Sequence, residues 1–94
     1  MPISLDDFAS HVGTAYRVVP TGGEPLAMTL RACERLADSG RDGGSFRLEF
    51  AGPLEPRLPQ SIYGFTRNGG DPVEIFIVPI AAEPDAMVYE AIFY

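Results

Sequence analysis

The sequence has no lysine. All seven basic residues are arginines, set against thirteen acidic residues for a net charge of −6. The arginines are scattered from Arg17 to Arg67 and form no basic stripe, which argues against nucleic acid as a partner. Cys33 is the one cysteine, so no internal disulfide can staple the fold. A single cysteine fits a reducing compartment. His11 is the one histidine, and with no cluster of cysteines beside it a transition-metal site cannot be completed. Long hydrophobic runs are also missing. The longest near-continuous one, Ile75–Ala82, is under half of what a membrane span requires. The start, Met1-Pro2-Ile3-Ser4-Leu5-Asp6-Asp7, is acidic where a signal peptide is basic and then apolar. These absences lead to the expectation of a cytoplasmic chain with no membrane segment and no cofactor.

What remains is an ordinary globular composition. Of the 94 residues, 46% are apolar and 21% charged, which argues against disorder. A chain of this length makes one domain, 1–94, burying roughly 60–65% of its unfolded surface. If compact, it has a radius of gyration of about 12 Å.

Periodicity places the elements. Ser4 with Asp7 forms a short version of a capping box. Leu5, Phe8, Ala9 and Val12 come next at helical spacing, with Asp6 and Asp7 in the first turn and Gly13 as the stop, so a two-turn helix is expected over Ser4–Val12. Ala15–Pro20 is β-branched and aromatic and runs into a Gly-rich turn, the signature of a strand. Leu26–Asp38 reads two ways. Leu26, Leu30, Cys33 and Ala37 have helical spacing among good helix formers, while Leu26, Met28, Leu30 and Ala32 alternate at period two. Phe46, Leu48 and Phe50 alternate with Arg47 and Glu49, giving a half-buried strand. Gly52–Pro59 carries three prolines and is a semi-rigid connection. Ser61–Arg67, Val73–Ile80 and Met87–Tyr94 are three further strands. Val73–Ile80 is apolar on both faces except at Glu74, which predicts burial on both sides. Pro79, lacking an amide donor, belongs at a strand end, a bulge or an edge. Five or six short strands without a βαβ rhythm predict a mainly β domain, a small antiparallel barrel or sandwich with a short N-terminal helix.

Chemistry is sparse. His11, near the end of the expected helix, suits a charge at a helix carboxyl end. Cys33 is flanked by apolar residues and reads as a buried thiol rather than a nucleophile partnered by His11. No Gly-x-Ser-x-Gly elbow is present, and the Gly-rich segments 40–44 and 68–70 lack the Lys and Ser/Thr of a phosphate loop. Glu49, Glu74 and Glu90 each sit on an alternating strand, where a solvated carboxylate is the ordinary outcome; a glycosidase-like pair is the alternative. The apolar last strand stands out. Val88, Ile92 and Tyr94 lie on one face, and Met87, Tyr89, Ala91 and Phe93 on the other. Either a small barrel simply closes with this strand, or, with one face packed on the core, the other is a surface for the helix, a second subunit or another protein.

Four segments also carry a family pattern. They are Phe46-Arg47-Leu48-Glu49-Phe50-Ala51-Gly52-Pro53, Leu58-Pro59-Gln60-Ser61-Ile62-Tyr63, Ile75–Ile80 joined by Tyr89-Glu90-Ala91-Ile92-Phe93, and Phe8-Ala9-Ser10-His11-Val12-Gly13. Together they resemble a family of small uncharacterised bacterial proteins with a Phe-rich strand, a Leu-Pro-Gln-Gly-x-Tyr turn, a Leu-Phe-Leu-Val-Pro strand and a Tyr-Glu-Ala-x-Phe ending. Ser61 stands where that pattern has Gly, and Tyr94 where it has Asn. The resemblance implies no activity and no catalytic residue. It implies company with proteins bearing phage-tail collar domains, and a strand rather than a helix over Leu26–Leu36. The expected function is therefore a non-catalytic interaction or assembly module, with a protein partner or self-association through Val88, Ile92 and Tyr94. The alternative is a barrel that binds a small molecule among Tyr63, Phe65 and Tyr89.

Overall fold

A computed structural model describes residues 6–20, 23–36, 45–55, 57–67 and 69–93. Within them six strands occur in chain order: β1 (Ala15–Val19), β2 (Leu26–Arg35), β3 (Phe46–Gly52), β4 (Ser61–Thr66), β5 (Val73–Glu83) and β6 (Ala86–Phe93). Every pairing is antiparallel, and the order β1-β2-β3-β6-β5-β4 closes on itself because β1 pairs with both β2 and β4. Closure decides for a barrel over a sandwich and leaves no strand edge unpaired. The radius of gyration, 12.8 Å, matches the compact expectation.

Alternation fills the interior. Met28 and Leu30 of β2, Phe46, Leu48 and Phe50 of β3, Phe65 of β4, Ile75 and Ile77 of β5, and Tyr89 of β6 are all buried. Phe50 and Phe65 pack with ring centroids 4.7 Å apart, and Tyr16 meets Phe50 edge-on at 5.9 Å. At Gly52 the crowding reaches the backbone. An added Cβ there would lie 3.1 Å from Met28 Cγ and 3.4 Å from Tyr89 Cε1.

The contested stretch is a strand. Its two rival periodicities both fail in the middle for one reason: a bulge at Arg31 shifts the register between Leu30 and Ala32. Leu30 opposes Phe50, Ala32 opposes Glu49 and Cys33 opposes Leu48. Beyond the bulge Cys33, not Ala32, therefore faces the core. Pro79 likewise sits at a register shift, between Pro79 and Ala81.

Two expectations are corrected. A short N-terminal helix laid over the core is not supported. Ser4 and Leu5 lie outside the described residues, and Asp6–Ala9 forms a lone helical turn. Turns then take over, with the His11 amide donating to the Phe8 carbonyl at 2.8 Å, the Thr14 amide to the His11 carbonyl at 2.9 Å, and Gly13 at a φ of 94°. Of the expected stripe Leu5, Phe8, Ala9 and Val12, Leu5 is outside the described residues and only Phe8 of the other three is buried, so among the described residues no helix face is stabilised by packing. Phe8 instead closes one barrel end, its ring 6.0 Å from Phe46 and 6.2 Å from Phe93. The second correction concerns β5. Ile75 and Ile77 are buried, yet Phe76 and Ile80 on the opposite face are exposed. A single-layer barrel has only one inside, and nothing in the described residues covers this outer face.

The opposite end is closed by the Pro-rich connection. Between β3 and β4 it must pass β6 and β5, and it sends Leu58 into the core. Two buried tyrosines fasten it. The Leu58 amide donates to the Tyr89 hydroxyl at 2.9 Å, and the Tyr63 hydroxyl donates to the Pro59 carbonyl at 2.7 Å.

Candidate functional site

The outer face of the barrel is divided between charge and apolar surface. On β2, β3, β6 and the end of β5, two arginines organise four glutamates. Arg31, the bulged residue, donates from Nε to Glu49 at 2.8 Å and holds Glu83 with both terminal nitrogens, each at 2.8 Å. Arg47 donates to Glu90 at 2.8 Å, to Glu49 at 3.1 Å, and to Glu34. Glu49 and Glu90 are register partners, directly opposite one another, an arrangement that repels unless a cation lies between them. Arg47 is that cation. Hydrogen bonding from Arg47, opposed by burial and reinforced by Arg31, holds the Glu49 carboxyl below its usual range. Arg31 does the same for Glu83. Burial opposes the charge on Arg47, but its bonds to Glu49, Glu34 and Glu90 outweigh that and raise its pKa. Glu49 and Glu83 are each tied to arginine in an ion pair. Glu74 stands apart, exposed on β5 opposite Gly64.

Beyond this network the outer face turns apolar. Ile62 on β4 is 57% exposed, Phe76 on β5 50%, and Ile92 on β6 38%. Ile62 and Phe76 are register partners. Val78 pairs with Glu90, which carries Phe76 alongside Ile92 two residues further on. The three thus form a row across three strands. They line, with Glu74 and Phe93, a shallow recess of about 400 Å³.

Of the residues expected at a contact surface, the structure separates Val88 from Ile92. Both point outward, yet Val88 is 1% exposed. It sits in register between Ala51 and Ala81, in the strip that the Arg31–Glu83 pair crosses on its way from β2 to β5. Val88 is therefore not available as a contact residue, while Ile92 is. Tyr94 lies outside the described residues. Ile62 and Phe76 were missed by sequence reasoning, although each flanks a core residue, Tyr63 for one and Ile75 and Ile77 for the other, and so had to face outward.

The interior aromatics are occupied by the protein itself. The Tyr89 and Tyr63 hydroxyls hold the connection at the barrel end, and Phe65 packs on Phe50. Cys33 is half-buried, and burial pushes its thiol pKa up, the reverse of an activated nucleophile. Among the described residues no group of three or more His, Cys, Asp or Glu could hold a metal ion, and no helix is long and apolar enough to cross a membrane.

A family model, Domain of unknown function (DUF6916), matches residues 3–93. The chain belongs to this family. No curated protein and no solved structure matches it. The DUF6916 assignment agrees with the resemblance carried by the strand and turn segments, and those segments map onto the architecture of the barrel. Phe46–Gly52 is β3, Leu58 and Tyr63 belong to the closed end, Ile75–Ile80 lies within β5 and its bulge, and Tyr89–Phe93 completes β6. In this chain those segments form the wall and the closed end of the barrel.

Proposed function

We propose that the domain is a non-catalytic protein-interaction or assembly module that binds through the outer face of β4, β5 and β6. The row Ile62, Phe76 and Ile92 carries this reading, because three large apolar side chains lie side by side in water. Single exposed apolar residues are ordinary, but a contiguous row rimmed by charge marks contact surfaces. The flanks fit the role. Glu74 and the Arg47–Glu90 pair edge the row and supply a polar rim. The carboxylates most suited to catalysis are tied to arginines on the same wall, which favours a structural use for them. Proteins with phage-tail collar domains are the first partners to test, and the reading sets the protein in the cytoplasm.

The test compares wild type with Ile92→Asp and Phe76→Asp. Both positions are half-exposed, so both variants should keep the wild-type circular dichroism spectrum and melting temperature within a few degrees. Partner capture with an amino-terminal tag, and self-association by analytical ultracentrifugation, should register complexes with wild type that both variants lose. Complexes that survive in both folded variants would overturn the reading. So would variants that unfold, because the row would then be part of the core.

A further inference from the structure

A second recess, of about 310 Å³, opens at the barrel end closed by Phe8, and none of its lining residues belongs to the β4–β5–β6 row. Phe8, Tyr16, Phe65 and Val73 form its apolar walls, while Arg67 and Asp71 line it from the β4–β5 connection. Tyr16 and Phe65 meet edge to face, with centroids 6.2 Å apart. The turn is closed by the Gly70 amide donating to the Arg67 carbonyl at 3.0 Å, which brings the guanidinium and the carboxylate to the same recess.

The state of Arg67 is unlike that of the arginines on the outer wall. Arg47 is bonded to three glutamates and Arg31 to two. Among the described residues Arg67 makes no ion pair, and neither does Asp71. They line one recess without neutralising each other. Arg67 lines the recess with Tyr16, whose hydroxyl pKa burial raises and Arg67 partly draws back down. A guanidinium can only donate, and a phenol can donate its own proton as well. Two donors therefore converge beside an aromatic wall, with one carboxylate acceptor at the rim. The volume is at the lower end of small-molecule sites, roughly 300–1,000 Å³, too small for a dinucleotide.

We infer that this recess binds a small amphipathic zwitterion of the class of an apolar α-amino acid. Its carboxylate takes the Arg67 and Tyr16 donors, its ammonium group meets Asp71, and its side chain lies against Phe8, Phe65 and Val73. The site is distinct from the proposed contact row, since its lining residues share none with the recess beside that row.

The test is titration of the full chain with L-phenylalanine, monitored by calorimetry and by amide chemical shifts. Saturable binding is expected, with shifts concentrated at Tyr16, Phe65 and 69–73. Arg67→Gln should weaken it by about ten- to a hundredfold, the worth of a charge-assisted hydrogen bond. Phenethylamine, which lacks the carboxylate, should lose binding, and 3-phenylpropionate, which lacks the ammonium group, should bind more weakly than the amino acid. Asp71→Asn should abolish that last difference, and it serves as the decisive variant if Arg67→Gln does not fold. Phe76→Asp should bind as wild type does, which separates this site from the contact row. Absence of saturable shifts with L-phenylalanine and L-leucine at millimolar concentration would overturn the inference. So would undiminished binding in folded Arg67→Gln.

Discussion

Replacing Arg47 by methionine isolates what the outer-face network contributes. Arg47 joins Glu34 of β2, Glu49 of its own strand and Glu90 of β6, so one side chain clamps three neighbouring strands. Its side chain is 19% exposed, and those of Glu49 and Glu90 are 18% and 26%. Exposed pairs contribute about 0.2–1 kcal/mol each, and a partly shielded network of three reaches the upper part of that range. Removal also leaves Glu49 and Glu90 opposed without the cation between them. The expected loss is about 2 kcal/mol at neutral pH, read as a lower urea midpoint at unchanged slope. The pH dependence is more diagnostic. In the wild type the Glu49 carboxyl titrates below its unfolded value, chiefly through its bond to Arg47. Its stabilisation is therefore complete above the unfolded pKa of about 4.3 and is lost as pH falls through the lower folded value. In Arg47→Met the Glu49 carboxyl loses its largest stabilising bond and is held down by Arg31 alone. The gap between variant and wild type should therefore narrow as pH falls below about 4.3. A gap under about 0.3 kcal/mol at neutral pH, or two parallel pH profiles, would refute the assignment of Arg47 as the cation that resolves the Glu49–Glu90 contact.

Three further outcomes are expected. Tyr89→Phe keeps the ring but removes the acceptor of the Leu58 amide, and should cost about 1–2 kcal/mol, with faster amide exchange at Leu58. Gly52→Ala places a methyl group against Met28 and Tyr89 and should destabilise by about 1–3 kcal/mol in a thermal melt, although alanine is the better residue for chain entropy. Cys33, raised by burial, should react with a thiol-alkylating reagent more slowly than free cysteine at pH about 8 and catch up only in urea.

Alternation made most of the barrel wall legible. Phe46, Leu48 and Phe50 had only one way to face, and the three-proline connection could only lie outside the sheet. β2 was harder, because alanine, leucine, arginine and glutamate favour a helix locally, and the bulge at Arg31 breaks the period-two pattern where it would have decided the matter. Pairing with both β1 and β3 overrides those propensities by giving the backbone partners on two sides. β5 misled in the opposite direction. Its double apolar character reads as burial on both faces, whereas Phe76 and Ile80 face outward. The split between Val88 and Ile92 lay beyond any local rule. It depends on which long side chains cross the outer wall, and the Arg31–Glu83 pair joins residues 52 apart in sequence. Arg67 and Asp71 sit in a stretch that reads only as a turn, so the recess they share with Phe8 and Tyr16 becomes visible only once β1 and β4 are neighbours.

That neighbourhood of β1 and β4 also has mechanical weight. The two strands meet over three register pairs, Arg17 with Thr66, Val18 with Phe65 and Val19 with Gly64. By contrast, β3 and β6 share seven. The short seam joins the first strand to the fourth, so it closes only after the intervening chain has been gathered, and it has the fewest bonds to break. Opening it turns the cylinder into a curled ribbon with two raw borders, each able to accept a strand from another molecule. The same zipper thus governs both how late the barrel seals as it forms and where it first comes apart under stress.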